Sequence, residues 1–167
     1  GQGSLPPGFP RSSRVERNLS DHPVEPILIL THEFHPRKGG IATFTEEMAL
    51  SCSQQGFDVE VWAPDIEGEV SDKPWPFKVR RLNMKGTQDL PCLMATSKEI
   101  IGKRRDLRRA RVYLPEPGPI SAMLYLQFFK AFQPGKLYLT FHGSEILNYH
   151  GKFHHRLLLK KLIARAE

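Results

Sequence analysis

The chain has 167 residues, 40% apolar and 25% charged, which suits one folded domain and excludes a disordered chain or a repeat array. Its net charge of +6 is uneven: residues 98–111 carry +5, residues 150–167 carry +4 and the remainder sums to −3, a pattern of local docking patches rather than a uniformly basic coat. Two cysteines forty residues apart, Cys52 and Cys92, suggest no disulfide framework or zinc knuckle, the first 26 residues lack the apolar core of a secretory signal, and no apolar run approaches the roughly 18 residues of a bilayer span.

Residues 1–25 are rich in Pro, Ser, Arg and Gly, show no apolar period and open with Gly-Gln-Gly-Ser, so they read as a flexible tail or an expression-tag remnant ahead of one domain over 26–167. The run Pro26-Ile27-Leu28-Ile29-Leu30-Thr31 predicts a strand buried on both faces, which requires helices on both sides. Ile41, Phe44, Met48 and Cys52 then recur at helical spacing, and Gly56 stands where a left-handed cap ends a helix. Strands follow at 59–63 and 77–82, a basic amphipathic helix at 90–107, and a strand at 111–115. A nearly all-apolar helix at 119–132, a strand at 136–141 and a Leu-rich helix at 153–166 complete the series. Strands alternating with helices predict an α/β fold: a Rossmann-like, doubly wound parallel sheet with right-handed crossovers.

Ligands in such sheets bind at the carboxyl ends of the strands, where the strand order reverses. Three loops fall at predicted strand ends: 32–41, 115–119 and 141–145. They are expected to converge on one cleft. Gly39 and Gly40 bring bare N–H groups to the start of a helix, a seat for phosphate or simply a tight turn. His142, with Gly143 and Ser144 after it, is placed to meet a substrate hydroxyl or phosphate, or to act as a structural hydrogen bonder. Glu116 and Glu145 are candidates for gripping sugar hydroxyls, against a plain reading as helix-start electrostatics. No Walker A or Gly-x-Gly-x-x-Gly pattern occurs, which disfavours a nicotinamide enzyme. A metal site drawn from His32, Glu33, His35, His150, His154 and His155 fits no ligand spacing, so none is expected.

Taken in order, Pro36-x-x-Gly39-Gly40-Ile41, Gly56-x-Asp58-Val59-x-Val61, Glu116-Pro117-Gly118-Pro119 and Thr140-Phe141-His142-Gly143-Ser144-Glu145 resemble the amino-terminal domain of family 4 glycosyltransferases over residues 26–167. That resemblance implies one half of a GT-B fold and transfer of a sugar, with retention, from a nucleotide-diphosphate sugar to a glycan or lipid-linked acceptor, without cofactor or metal. It sets Gly39 and Gly40 beside the donor phosphates and His142 at the catalytic centre, with Glu116, Gly143, Ser144 and Glu145 contributing to substrate binding. In the family the basic pair and the Glu-x7-Glu motif that hold the donor lie in a carboxy-terminal domain. The 167 residues are therefore expected to be a domain excerpt that binds acceptor weakly and transfers nothing alone. At 110–115 the chain has Ala-Arg-Val-Tyr-Leu-Pro where the family usually has Asp-Val-(Val/Ile)-His-x-His, so no acceptor is named. Two other readings stand beside this one: a non-catalytic Rossmann-like domain binding a phosphate or sugar, and half of another GT-B enzyme such as a phosphorylase or nucleotide-sugar epimerase.

In the basic segment, Leu93, Met94, Ile100, Ile101 and Leu107 are expected on one side and Lys103, Arg104, Arg105, Arg108 and Arg109 on the other. That is the pattern of an interfacial helix on anionic lipid, or of a helix packed on the sheet with solvated charges. The cluster lacks interleaved aromatics, so nucleic acid is not an expected partner. The expected location is cytoplasmic, with peripheral attachment at the inner face of a membrane if the basic helix meets lipid.

Overall fold

The computed structural model describes residues 25–65, 73–84, 89–129, 131–132, 134–142, 160 and 164. Five strands, β1 (Ile27–Leu30), β2 (Val59–Pro64), β3 (Lys78–Leu82), β4 (Arg111–Leu114) and β5 (Lys136–Leu139), form one all-parallel sheet in the order β3-β2-β1-β4-β5. Every pairing is parallel, with Ile27 opposite Val59 on one side and Arg111 on the other. Four helices fully within the described residues accompany them: α1 (Gly40–Gln54), α2 (Leu90–Gly102), α3 (Arg104–Arg109) and α4 (Pro117–Phe128). This is the expected α/β, Rossmann-like, doubly wound arrangement.

Side-chain alternation along β1 shows why both faces are covered. Leu28 and Leu30 enter one core with Trp62, Ile100, Leu107, Ile120 and Met123, while Ile29 enters the other with Phe34, Ala49, Val61 and Tyr113. A strand with both side-chain rows buried has no polar face to spend, hence the continuous apolar run. The order reverses between β1 and β4, which leaves the crevice at their carboxyl ends.

Element ends differ from expectation by small, explicable amounts. The last helix but one begins two residues early, at Pro117: a proline in the first turn has no N–H to satisfy and its φ suits a helix. It ends at Phe128, and the N–H of Ala131 turns back to the carbonyl of Leu126 at 2.9 Å. The apolar face of α1 is also offset. Ala42, Thr45 and Ala49 are buried, whereas Phe44 is 40% exposed. Small residues let the helix lie close on the sheet, and the larger expected ones flank them. The single helix expected over 90–107 breaks at Lys103, directly after Gly102, into α2 and α3. Of the predicted helix at 153–166 only Lys160 and Ala164 are described, joined by a 3.0 Å backbone hydrogen bond. Glu25, at the end of the expected tail, meets Lys136 at 2.8 Å and Arg111 at 3.3 Å, and both lower its pKa.

Gly56 ends α1 as expected, at φ 88°. The N–H of Phe57 reaches the carbonyl of Cys52 at 3.1 Å and that of Gly56 reaches Ser53 at 2.9 Å, the two bonds of a Schellman cap. A Cβ there finds open space, so the cost of adding one is purely conformational. Gly56→Ala is expected to lower stability by about 1–2 kcal/mol, read as a reduced urea midpoint at unchanged slope.

Candidate functional site

The crevice is built where β1 and β4 end. Thr31 and His32 follow β1, Pro115 and Glu116 follow β4, and all four are buried. Glu116 occupies the N-cap position of α4, yet its carboxylate does not cap that helix. Oε1 turns instead to the loop after β1, accepting the Thr31 hydroxyl at 2.6 Å, the Glu33 N–H at 2.9 Å and the His32 N–H. Two loops more than eighty residues apart are thereby joined by one oxygen. Burial raises the Glu116 pKa, and the three donors oppose that rise. A side chain expected to grip a substrate hydroxyl is 2% exposed and positions backbone.

His32 lies beneath this tie. Its Nε2 is 2.8 Å from the Thr96 hydroxyl on α2, and the Cys92 thiol is 3.7 Å from Nδ1. Burial, and secondarily the positive charge of Arg37, lowers its pKa to about 4, so the ring is neutral at physiological pH. Gly118, in the first turn of α4, exists for this ring: a Cβ there would lie 2.9 Å from Cε1 and closer still to Nδ1. His32, Thr96 and Gly118 were not legible as a unit in the sequence. The available signal was two polar residues, Thr31 and His32, placed directly after an apolar strand at the order reversal.

The glycine pair opens α1. Gly39 is its N-cap with extended backbone and no side-chain capping bond, and Gly40 is its first residue; both are exposed. A Cβ on Gly40 would meet nothing within 4 Å, and one on Gly39 only Glu33 Oε2 at 3.7 Å, so crowding by the protein does not account for either glycine. No side chain at position 39 caps the first turn of α1, the two glycines that open it are exposed, and Arg37 and Lys38 are exposed just before them.

From the other side, Thr140 continues β5 through a 3.1 Å bond from its N–H to the carbonyl of Leu114, and its hydroxyl lies 2.5 Å from the Tyr113 hydroxyl. His142 then reaches the flank of α1. Its ring stands edge-on to Phe44, centroids 5.3 Å apart, and it is exposed. Phe44, expected in the core, instead connects the histidine to the helix that the glycine pair begins. Gly143, Ser144 and Glu145 lie outside the described residues, as do His150, His154 and His155. Among the described residues no group of three or more His, Cys, Asp or Glu side chains is arranged to hold a metal ion, and no helix is long and apolar enough to cross a membrane.

The basic candidates lie elsewhere. Arg104, Arg105, Arg108 and Arg109 belong to α3, which leads directly into the first residue of β4, and so sit at the amino edge of the sheet. Lys103, in the break, pairs with Glu99. The crevice is at the opposite edge, a strand length of ~15 Å away. Nor do the apolar residues share a side: Ile100 and Leu107 are in the core, whereas Met94 and Ile101 are exposed. Within α2 itself Ile100 faces the sheet while Ile101, the next residue and about 100° further round the helix, faces away.

Comparison with protein-family models, with curated proteins and with solved structures finds no match to this chain.

Proposed function

We propose that this chain is the acceptor-binding half of a retaining glycosyltransferase, which transfers a sugar from a nucleotide-diphosphate donor to a glycan or lipid-linked acceptor. The observation that carries the reading is the contact of His142 with Phe44. It draws the end of β5 to the start of α1, so an exposed imidazole and an open helix N-terminus border the same mouth at the order reversal. The N–H groups beyond Gly39 offer partial positive charge to a diphosphate, and His142 offers a donor or acceptor to a hydroxyl near it. Glu116 and His32 hold the floor: the carboxylate fixes the loop that leads to the glycines, and the neutral ring ties that loop to α2. In this reading the donor nucleotide is gripped mainly by a second domain of the kind the resemblance implies, so binding to this chain is weak.

The test is saturation-transfer NMR on the 167-residue chain with a panel of monosaccharides, disaccharides and nucleotide-diphosphate sugars. Saturation of a sugar ring that His142→Ala abolishes, at unchanged thermal stability, is the expected result; an exposed side chain is removed there at little folding cost. Sugars that receive no saturation, or receive it equally from the variant, would remove the proposal. Turnover of a nucleotide sugar by this chain alone would contradict the assignment of the donor site to a second domain.

A further inference from the structure

The most exposed large apolar side chains among the described residues gather on the outer side of α2 and α4. Leu90 and Met94 on α2 are 67% and 65% exposed, and Phe129 just after α4 is 71% exposed. The two helices leave a groove of about 620 Å³ between them, walled by Leu90, Leu93, Met94, Ile101, Leu126 and Phe129. The wall residues on α2 recur at three- and four-residue intervals, so one full helical face is turned outward while Cys92, Thr96 and Ile100 face inward. A contiguous apolar surface of this kind marks an interaction site.

The charged side chain that lines the groove is a cation, and Asp89, beside Leu90 at one end, is engaged as the N-cap of α2, accepting the Cys92 N–H at 2.9 Å. Lys98 lines it and makes no ion pair among the described residues. Arg104 donates to the carbonyl of Ile101, a wall residue, at 3.1 Å, and it too lacks an acidic partner there, as does Arg105. The acidic neighbours are engaged: Glu99 by Lys103, and Asp106 by Arg80 at 3.8 Å. A second copy of the chain would bring these cations against each other. A flat bilayer surface would leave the concavity unfilled.

We propose that the α2–α4 groove docks an amphipathic helix of a protein partner, with apolar side chains at i, i+3, i+4 and i+7 in the groove and Asp or Glu along the flank that meets Lys98 and Arg104. The geometry is helix-in-groove packing, and the unpaired cations select an acidic partner over a basic one. This surface is separate from the mouth bordered by Gly39 and His142, so it stands or falls independently of the sugar-transfer reading.

The experiment uses two fluorescent synthetic peptides with the same Leu face and either Glu or Lys at every other position, titrated with the 167-residue chain and read by anisotropy at low and physiological salt. The Glu peptide is expected to bind saturably and the Lys peptide not. Met94→Glu is expected to weaken binding by at least about tenfold. The double substitution Lys98→Glu with Arg104→Glu is expected to reverse the preference to the Lys peptide, with unchanged circular dichroism. Binding of neither peptide, or equal binding of both, overturns the proposal. Co-sedimentation with phosphatidylglycerol vesicles, lost in the same variants and unaccompanied by peptide binding, also overturns it by assigning the surface to a membrane.

Discussion

Gly118→Ala is expected to destabilise the fold by about 3 kcal/mol, a fall of roughly 10 °C in melting temperature for a domain of this size. The position is helical, so backbone conformation is not the cause; alanine is the better helix former. The cost is steric. The new methyl group meets the His32 ring, which is held by Thr96 on one side and the Cys92 thiol on another and is 3% exposed. Removing the obstacle should restore part of the loss. The double variant Gly118→Ala with His32→Ala is expected to lose less than the sum of the two single losses, by about 1 kcal/mol or more, in urea unfolding. Strict additivity would show that the ring and the helix do not compete for that space.

Much of the fold was legible because parallel sheets leave a strong imprint. A strand covered on both faces must be apolar at consecutive positions, and the run at Ile27 to Leu30 can be read without knowing its neighbours. Gly56 was equally legible, since a left-handed cap is a local demand met by a local residue. The site was less so, because its defining contacts are not local. Glu116 carries a meaning in sequence, acidic residue at a helix start, that the structure does not use: its carboxylate serves a loop 83–85 residues earlier. His32 had no partner within its own segment and gained one only when α2 brought Thr96 to it. Phe44 misled by its hydrophobicity. Period alone does not distinguish a core residue from one that packs against an exposed histidine, and here three small residues took the core positions.

Acidification is expected to weaken the fold through His32, with Glu116 acting in the opposite direction. His32 has a folded pKa near 4 against an ordinary 6.5, so its contribution is complete above pH 6.5. As pH falls from 6.5 toward 4 the unfolded chain takes up the proton first and stability drops, by about 3 kcal/mol in all. Glu116 is raised: its contribution is present below the ordinary carboxylate range and is lost as pH climbs through its folded value. On acidification the folded state therefore gains a proton at Glu116 before the unfolded chain does, which offsets part of the histidine effect. Two substitutions separate them. His32→Gln retains a side-chain amide for Thr96 without the titration and should flatten the fall between pH 6.5 and 4. Glu116→Gln retains an acceptor oxygen for Thr31, His32 and Glu33 without the buried charge. It should hold or raise stability at pH 8 and make the fall on acidification steeper than in the unsubstituted chain. Urea midpoints measured from pH 4 to 8 decide the matter. Parallel curves for all three proteins would mean that neither buried group changes protonation with folding, and that the join between the β1 and β4 loops carries no pH dependence of its own.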